Sequence, residues 1–302
     1  MIKYHEKNYG NILINEFRDY LWGIKQIAES SINSYCLSLK KFCEFSNIRD
    51  NFDIKKINAV VIRNFIEYLK SFKQINGKKY NISTINLKNF GLNQFLESQN
   101  LNNLKIKSIH CKKKLFLNED ELLNDMDISL LLKESNKVDK KLYLEIISMI
   151  QTGMRVSEIL NLTYEALKKG YIEIFNKGNR REVPMPIDLR EKLKFYCKSK
   201  NILEGNIFIT KNGKVDNRSN IYRKMLRLGK KFGILKKKLH PHNLRHYFAI
   251  KFIEANGENC LSLLSDILGH QNINTTRIYL RKTLSSISEK MTLESLKIKI
   301  AT

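Results

Sequence analysis

Four separated segments carry side chains suited to holding and attacking a phosphate. Thr152-Gly153-Met154-Arg155-Val156-Ser157-Glu158 sets an arginine after a helix end, with Glu158 three positions on and able to orient it. Arginine stays charged and forks onto phosphate oxygens. Asn176-Lys177-Gly178-Asn179-Arg180-Arg181 puts Lys177 at a hairpin tip, where it can enter a neighbouring groove. In His240-Pro241-His242-Asn243-Leu244-Arg245-His246 the proline predicts a helix start, which places His242 and Arg245 on one face. The pair suits an anion. His242 and His246 make a poor zinc pair, with no intervening glutamate and no third ligand. In Leu268-Gly269-His270-Gln271-Asn272-Ile273-Asn274-Thr275-Thr276-Arg277-Ile278-Tyr279, Gly269 should end one helix and Asn274 should cap the next. Tyr279 then lies about one turn into that helix. Each piece also has a bland reading: a salt bridge, surface charge, a core aromatic.

Taken together, Arg155, Lys177, His242, Arg245, His270 and Tyr279 resemble the tyrosine recombinase (phage integrase) family. Its signature is an arginine in G-x-R-x-S-E, a hairpin lysine before glycine, H-x-x-R, then L-G-H and a tyrosine nine residues after that histidine. The match is detailed from about Leu115 onward and covers the preceding region only in general shape. Two departures stand out: Ala166 lies where the family often has an acidic residue, and the interdomain segment lacks the prolines common in relatives.

The resemblance implies a site-specific recombinase that cleaves and rejoins DNA through a 3′-phosphotyrosyl intermediate, serving chromosome or plasmid dimer resolution or mobile-element integration and excision. A phenol ionises near pH 10, so Tyr279 needs dense positive charge around the phosphate. Arg155 and Arg245 would hold its non-bridging oxygens, Glu158 would support them, and His270 would add a hydrogen bond. His242 would either accept the tyrosine proton or donate to the phosphate. Lys177, by resemblance, is the general acid for the leaving 5′-hydroxyl. Transesterification conserves bond energy, so neither ATP, metal nor another cofactor is expected. The implied partners are double-stranded DNA carrying a recombination site and three more copies in a homo-tetramer on two such sites, with room for an accessory protein. The alternatives are a type IB topoisomerase-like relaxing enzyme and an inactive DNA-binding protein of the same fold.

The elements that must position these groups are mainly α, with a small antiparallel β-sheet. The resemblance implies a two-domain architecture: a helical core-binding domain at 1–104, a basic linker at 105–114 and an α/β catalytic domain at 115–302. Helical stripes run through Ile12 to Ile27, Ser31 to Phe45, Val61 to Leu69 and Ile85 to Phe95. Asp139 to Thr152 reads as a buried helix ended by Gly153. Tyr171 to Phe175 and Glu182 to Met185 read as hairpin strands, with a further short strand at Ile207 to Ile209. Ile287, Met291, Leu293, Leu296 and Ile298 form an apolar stripe on a tail helix, which packs either on a neighbouring protomer or on its own domain.

Lys and Arg number 54 against 30 Asp and Glu, a net charge of +24. Such an excess favours a polyanionic partner and salt-dependent binding. DNA contacts are expected from Lys105, Lys107, Lys112, Lys113 and Lys114 in the linker, and from Arg180, Arg181, Arg218 and Arg223. No stretch reaches the roughly 18 apolar residues of a membrane span, so no membrane partner is expected. The polar first residues lack a signal-peptide core, and the five cysteines are scattered without metal-ligand spacing. These features point to a cytoplasmic protein.

Overall fold

The computed structural model describes residues 11–111, 118–176 and 179–280. The chain divides into two compact units, Met1–Lys113 and Lys114–Thr302.

Among the described residues the first unit is built on α1 (Asn11–Asp19), α2 (Glu29–Ser46), α3 (Ala59–Ser71) and α4 (Ile82–Ser98). Asparagine side chains start two of them. Asn58 accepts from the Val60 and Val61 amides and Asn81 from Thr84, satisfying donors that a helix start leaves orphaned. The stripe expected to run to Ile27 as one helix instead passes into a π-helical turn at Tyr20–Ile24, and Gln26 (φ 49°) then turns the chain left-handed. Phe17 meets Phe95 edge-on at 5.6 Å, and Phe42 meets Phe65 at 5.1 Å. All four rings are buried, and each contributes about 1.5–3 kcal/mol by leaving water.

Residues 105–109, expected to be a basic tether, lie pinned along α4. Asn93 exchanges hydrogen bonds with the backbone of Ile106 (2.8 and 2.9 Å), and Asn86 does the same with Ile109 (both 2.8 Å). Ile106 and Ile109 pack on the core of the unit. A side-chain amide presents a donor and an acceptor together, so it pairs with a peptide unit as a strand neighbour would.

The second unit contains α5 (Asp125–Val138), α6 (Lys140–Thr152), α7 (Val156–Ile159), α8 (Tyr164–Lys169), β1 (Tyr171–Asn176), β2 (Asn179–Pro184), α9 (Ile187–Ser199), α10 (Arg218–Lys231), α11 (Pro241–Asn256) and α12 (Leu261–Leu268). Helix α6 is central. Its Leu144, Ile146 and Met149 are fully buried, and α5, α9, α10 and α11 pack around it. Asp139 caps its start, and Gly153 (φ 65°) ends it in the left-handed region that favours glycine.

Strands β1 and β2 pair antiparallel, with Ile172 opposite Val183 and Ile174 opposite Arg181. Among the described residues this hairpin is the sheet. Ile207 to Ile209, expected as a further strand, makes only isolated bridges, Thr163 to Asn206 and Ile209 to Val215. A smaller apolar cluster gathers Ala249 and Ile253 of α11, Leu264 and Leu268 of α12, and Tyr279. The tail stripe from Ile287 to Ile298 lies outside the described residues. Among the described residues, no helix is long and apolar enough to cross a membrane.

Candidate active site

Helix α11 carries the centre of the site. His240 caps it, its Nδ1 accepting from the His242 amide, and Pro241 fills the first turn, where no amide donor is required. Arg245 follows, only 1% exposed and the largest fully buried side chain among the described residues. A buried guanidinium needs acceptors. Arg245 finds them in the carbonyls of Gly153 (2.7 Å) and Leu268 (2.5 Å), and in Nε2 of His270 (3.2 Å). Burial, and then the charge of Arg155, bring its ionisation down to about 10.

The two carbonyls come from helix ends. Gly153 terminates α6, and Leu268 is the last residue of α12, which Gly269 (φ 62°) closes. Terminal carbonyls lack intrahelical partners, so the turns that stop these helices also hold the arginine. A Cβ on Gly153 would lie 2.4 Å from the Phe248 ring, and one on Gly269 2.3 Å from the Arg181 guanidinium.

Arg155 sits at the start of α7. Glu158 takes its guanidinium at 2.8 Å and its backbone amide at 2.7 Å, and Arg155 also reaches the Gly269 carbonyl at 3.5 Å. Burial works to raise the Glu158 carboxyl. Hydrogen bonds from Arg155 and the charges of Arg181 and Arg155 outweigh that effect and hold it low. His270 donates through Nδ1 to Thr276 Oγ1 at 2.7 Å, a tautomer fixed by the Arg245 donor at its other nitrogen. Burial, followed by Arg245 and Arg155, lowers its basicity to about 4. As a neutral ring its Nε2 therefore faces Arg245 as an acceptor.

Tyr279 is 5% exposed, and its hydroxyl lies 2.8 Å from Nδ1 of His246. Burial pushes it up to about 12, with Arg245 and Arg155 pulling the other way. Tyr279 does not stand in an α-helix capped by Asn274. It ends the second of two short 3-10 turns, Ile273–Thr275 and Arg277–Tyr279, and the cap is Asn272, which accepts from the Asn274 amide. His242 is exposed at the rim of a cleft of about 450 Å³, shared with Arg155, Arg245, Arg218 and Tyr222. Its ring leans on His246 at 4.3 Å, and although part of the residue is exposed, desolvation of the packed ring followed by the Arg245 charge lowers its basicity.

The structure thus brings together Arg155, Glu158, His242, Arg245, His270 and Tyr279. Lys177 lies outside the described residues, between the paired Asn176 and Asn179. Among the expected DNA contacts, Arg218 lines the cleft, and Arg223, on the same helix, is exposed. Lys107 is exposed, Lys105 pairs with Glu97 at 3.0 Å, and Lys112, Lys113 and Lys114 are not described. Arg180 is exposed and pairs with Glu182 and Glu173. Arg181 departs from the expectation of a free contact. It is largely buried and holds Glu158 at 2.8 Å, because its register opposite Ile174 turns it inward. Its alternation with Val183 is the signal that marks it.

Sequence reasoning passed over Thr276 and the Gly153 and Leu268 carbonyls, and weighed His246 only as a metal ligand. Among the described residues, no group of three His, Cys, Asp or Glu is placed to hold a metal ion.

The chain matches the family model described as the phage integrase family over residues 100–285, and that of the phage integrase N-terminal SAM-like domain over residues 14–108. A tyrosine recombinase of Thermosipho africanus is 29% identical over 283 residues, spanning 89% of this chain and 94% of that protein. Tyrosine recombinase XerD of Staphylococcus epidermidis is 29% identical over 295 residues, spanning 93% and 98%. In fold, the chain is similar to XerH site-specific recombinase bound to its difH substrate before cleavage, with TM-score 0.65, 22% identity, and 93% and 84% of the two chains covered. It is also similar to the Tn1549 transposon integrase in complex with transposon right end DNA, with TM-score 0.65, 17% identity, and coverage of 94% and 99%.

Proposed function

The chain belongs to the phage integrase family, and on that footing we propose that it cleaves and rejoins DNA as a site-specific recombinase with Tyr279 as its nucleophile. The observation that carries the assignment of residues is the convergence of Arg155, Arg245, His270 and Tyr279, drawn from three distant segments, beside one electropositive cleft.

Arg155 and Arg245 receive the non-bridging oxygens of the scissile phosphate. Their anchors on carbonyls and on Glu158 mean that little reorganisation accompanies the rise of charge in the transition state. His270 orients Arg245 in the resting chain. A phosphate beside it would favour protonation of Nε2, turning that acceptor into a donor. Lys177, by family resemblance, protonates the 5′-oxygen as it leaves. Tyr279 keeps the DNA 3′-phosphate until a 5′-hydroxyl displaces it, and the bond energy is conserved meanwhile.

The matches to proteins named tyrosine recombinases, which span 89% and 93% of this chain, disfavour the relaxing-enzyme alternative. A lambda integrase tetramer bound to a Holliday junction shares the fold (TM-score 0.66, 14% identity), which is consistent with action by four copies on two sites. Both domains are assigned to DNA. The first unit exposes Arg63, Lys70, Lys73, Lys78 and Lys79 for phosphates, whereas Lys88 is drawn against the Tyr80 ring at 5.1 Å.

The test is covalent trapping. A pool of nicked duplexes cut from the native genome should yield a denaturant-resistant protein–DNA adduct with the wild type and none with Tyr279→Phe. No adduct from the wild type, or the same adduct from the variant, would overturn the assignment.

A further inference from the structure

Any attack by Tyr279 on phosphorus has to release the phenolic proton, and the geometry indicates where it goes. Among the described residues the hydrogen-bond partner of the Tyr279 hydroxyl is His246 Nδ1, at 2.8 Å with the rings inclined at 57°. His242, the histidine of the H-x-x-R segment, instead packs its ring on that of His246. His246 lies one residue beyond Arg245 on the same helix, so the group at the phenol and the group at the phosphate share one rigid element.

We infer that His246 is the base that receives the Tyr279 proton as the phenolic oxygen attacks the phosphate. The inference rests on the recombinase reading given above. In the cleavage step the Tyr279 Oη–P bond forms and the P–O5′ bond breaks. The phenolic proton passes to His246 Nδ1, and the general acid supplies a proton to the 5′-oxygen. On rejoining, the 5′-hydroxyl gives its proton to the conjugate base of that acid, and His246 returns its own to Tyr279.

His246 is faced by His242, Arg245 and His240 from α11 and its cap, by His270 from beyond α12, and by Tyr279. Burial first, then this positive surrounding, lowers its basicity to about 3, which keeps the proton on the tyrosine until a phosphate is bound. A phosphodiester on Arg155 and Arg245 offsets the positive surrounding, and its growing equatorial charge stabilises an imidazolium beside it. Proton transfer is thereby coupled to occupancy: the nucleophile is activated only when the phosphate is in place.

Single-turnover adduct formation on one trapped duplex tests this. His246→Gln retains a hydrogen-bonding group but no base. It should bind the duplex as the wild type does and form adduct about 100-fold or more slowly at pH 7. Its rate should climb about tenfold per pH unit as hydroxide takes over. A 5′-bridging phosphorothiolate, whose sulfur leaves without a proton, should not relieve the defect, and added imidazole should accelerate His246→Gly. The inference is overturned if His246→Gln stays within about threefold of the wild type. It is equally overturned if the loss runs parallel to the wild-type pH profile without imidazole rescue, or if the sulfur substrate restores the rate. Failure of the wild type itself to form adduct would instead sink the recombinase reading.

Discussion

The bundle of the first unit and the cluster around Arg245 solve opposite problems. In the bundle, Phe17, Phe42, Phe65 and Phe95 are buried and most lysines face water. Burial there follows side-chain type, so helical periodicity reveals it. Around Arg245 a charge is buried as deeply as the apolar core, and backbone carbonyls at two helix ends make that tolerable. A desolvated charge is costly unless hydrogen-bonded, and here the two terminal nitrogens find acceptors while Nε has none among the described residues. The difference shows that the site is a folded structure in its own right, with electrostatic rather than apolar organisation.

The strongest way to break this comparison is to remove each arginine in turn. Arg245→Met should reduce adduct formation at least about 100-fold and also lower unfolding free energy by about 2–5 kcal/mol, since two carbonyls lose their donor. Arg155→Met should cost similar activity, but under about 1 kcal/mol of stability, because its carboxylate pair is partly solvated. Urea unfolding of both variants beside the trapping assay checks this. Equal stability losses would mean that burial depth does not separate the two residues.

A smaller effect is expected in the first unit, where polar anchoring also occurs. Asn86→Ala and Asn93→Ala should each weaken the docking of 105–109 by about 1–3 kcal/mol. Hydrogen exchange at the Ile106 and Ile109 amides, which these asparagines accept, should accelerate accordingly. Unchanged protection would show that Ile106 and Ile109 hold the segment by packing alone.

The subtlest expectation concerns Glu145, fully buried in α6, whose oxygens have no hydrogen-bond partner among the described residues. Burial, opposed by Lys141 and Lys224, pushes it up to about 8. The folded chain therefore holds a proton that the unfolded chain releases above its ordinary carboxylate range, so stability falls as pH rises from about 5 toward 8. Glu145→Gln should flatten that slope in melting temperatures taken across the range. An unchanged slope would assign it to other groups.

The sequence made much of this legible. The stripes of α2, α3 and α4, the buried α6 with its Gly153 stop, and the hairpin flanking Lys177 were all readable because each follows a local period or a turn residue. The grouping of Arg155, Arg245, His270 and Tyr279 was readable only through the family pattern, since no local rule links residues so far apart. His246 and Thr276 went unread for the same reason: their partners, Tyr279 and His270, are set by tertiary packing. Asn86 and Asn93 looked like ordinary polar positions on a helix, and their bonds to the backbone at 105–109 became apparent only in three dimensions. The misplaced cap before Tyr279 has a local cause. Asn272 and Asn274 are both good caps, and the chain uses the earlier one to build 3-10 turns.

Gly153 and Gly269 have a consequence for how this gene tolerates change. Each stops a helix, positions a carbonyl for an arginine of the site, and abuts a ring or guanidinium where a Cβ would stand. Three independent demands fall on one codon at each place. In a saturation library scored for recombination, substitutions at 153 and 269 should therefore be depleted as heavily as those at the nucleophile, although neither glycine has a side chain with which to touch DNA.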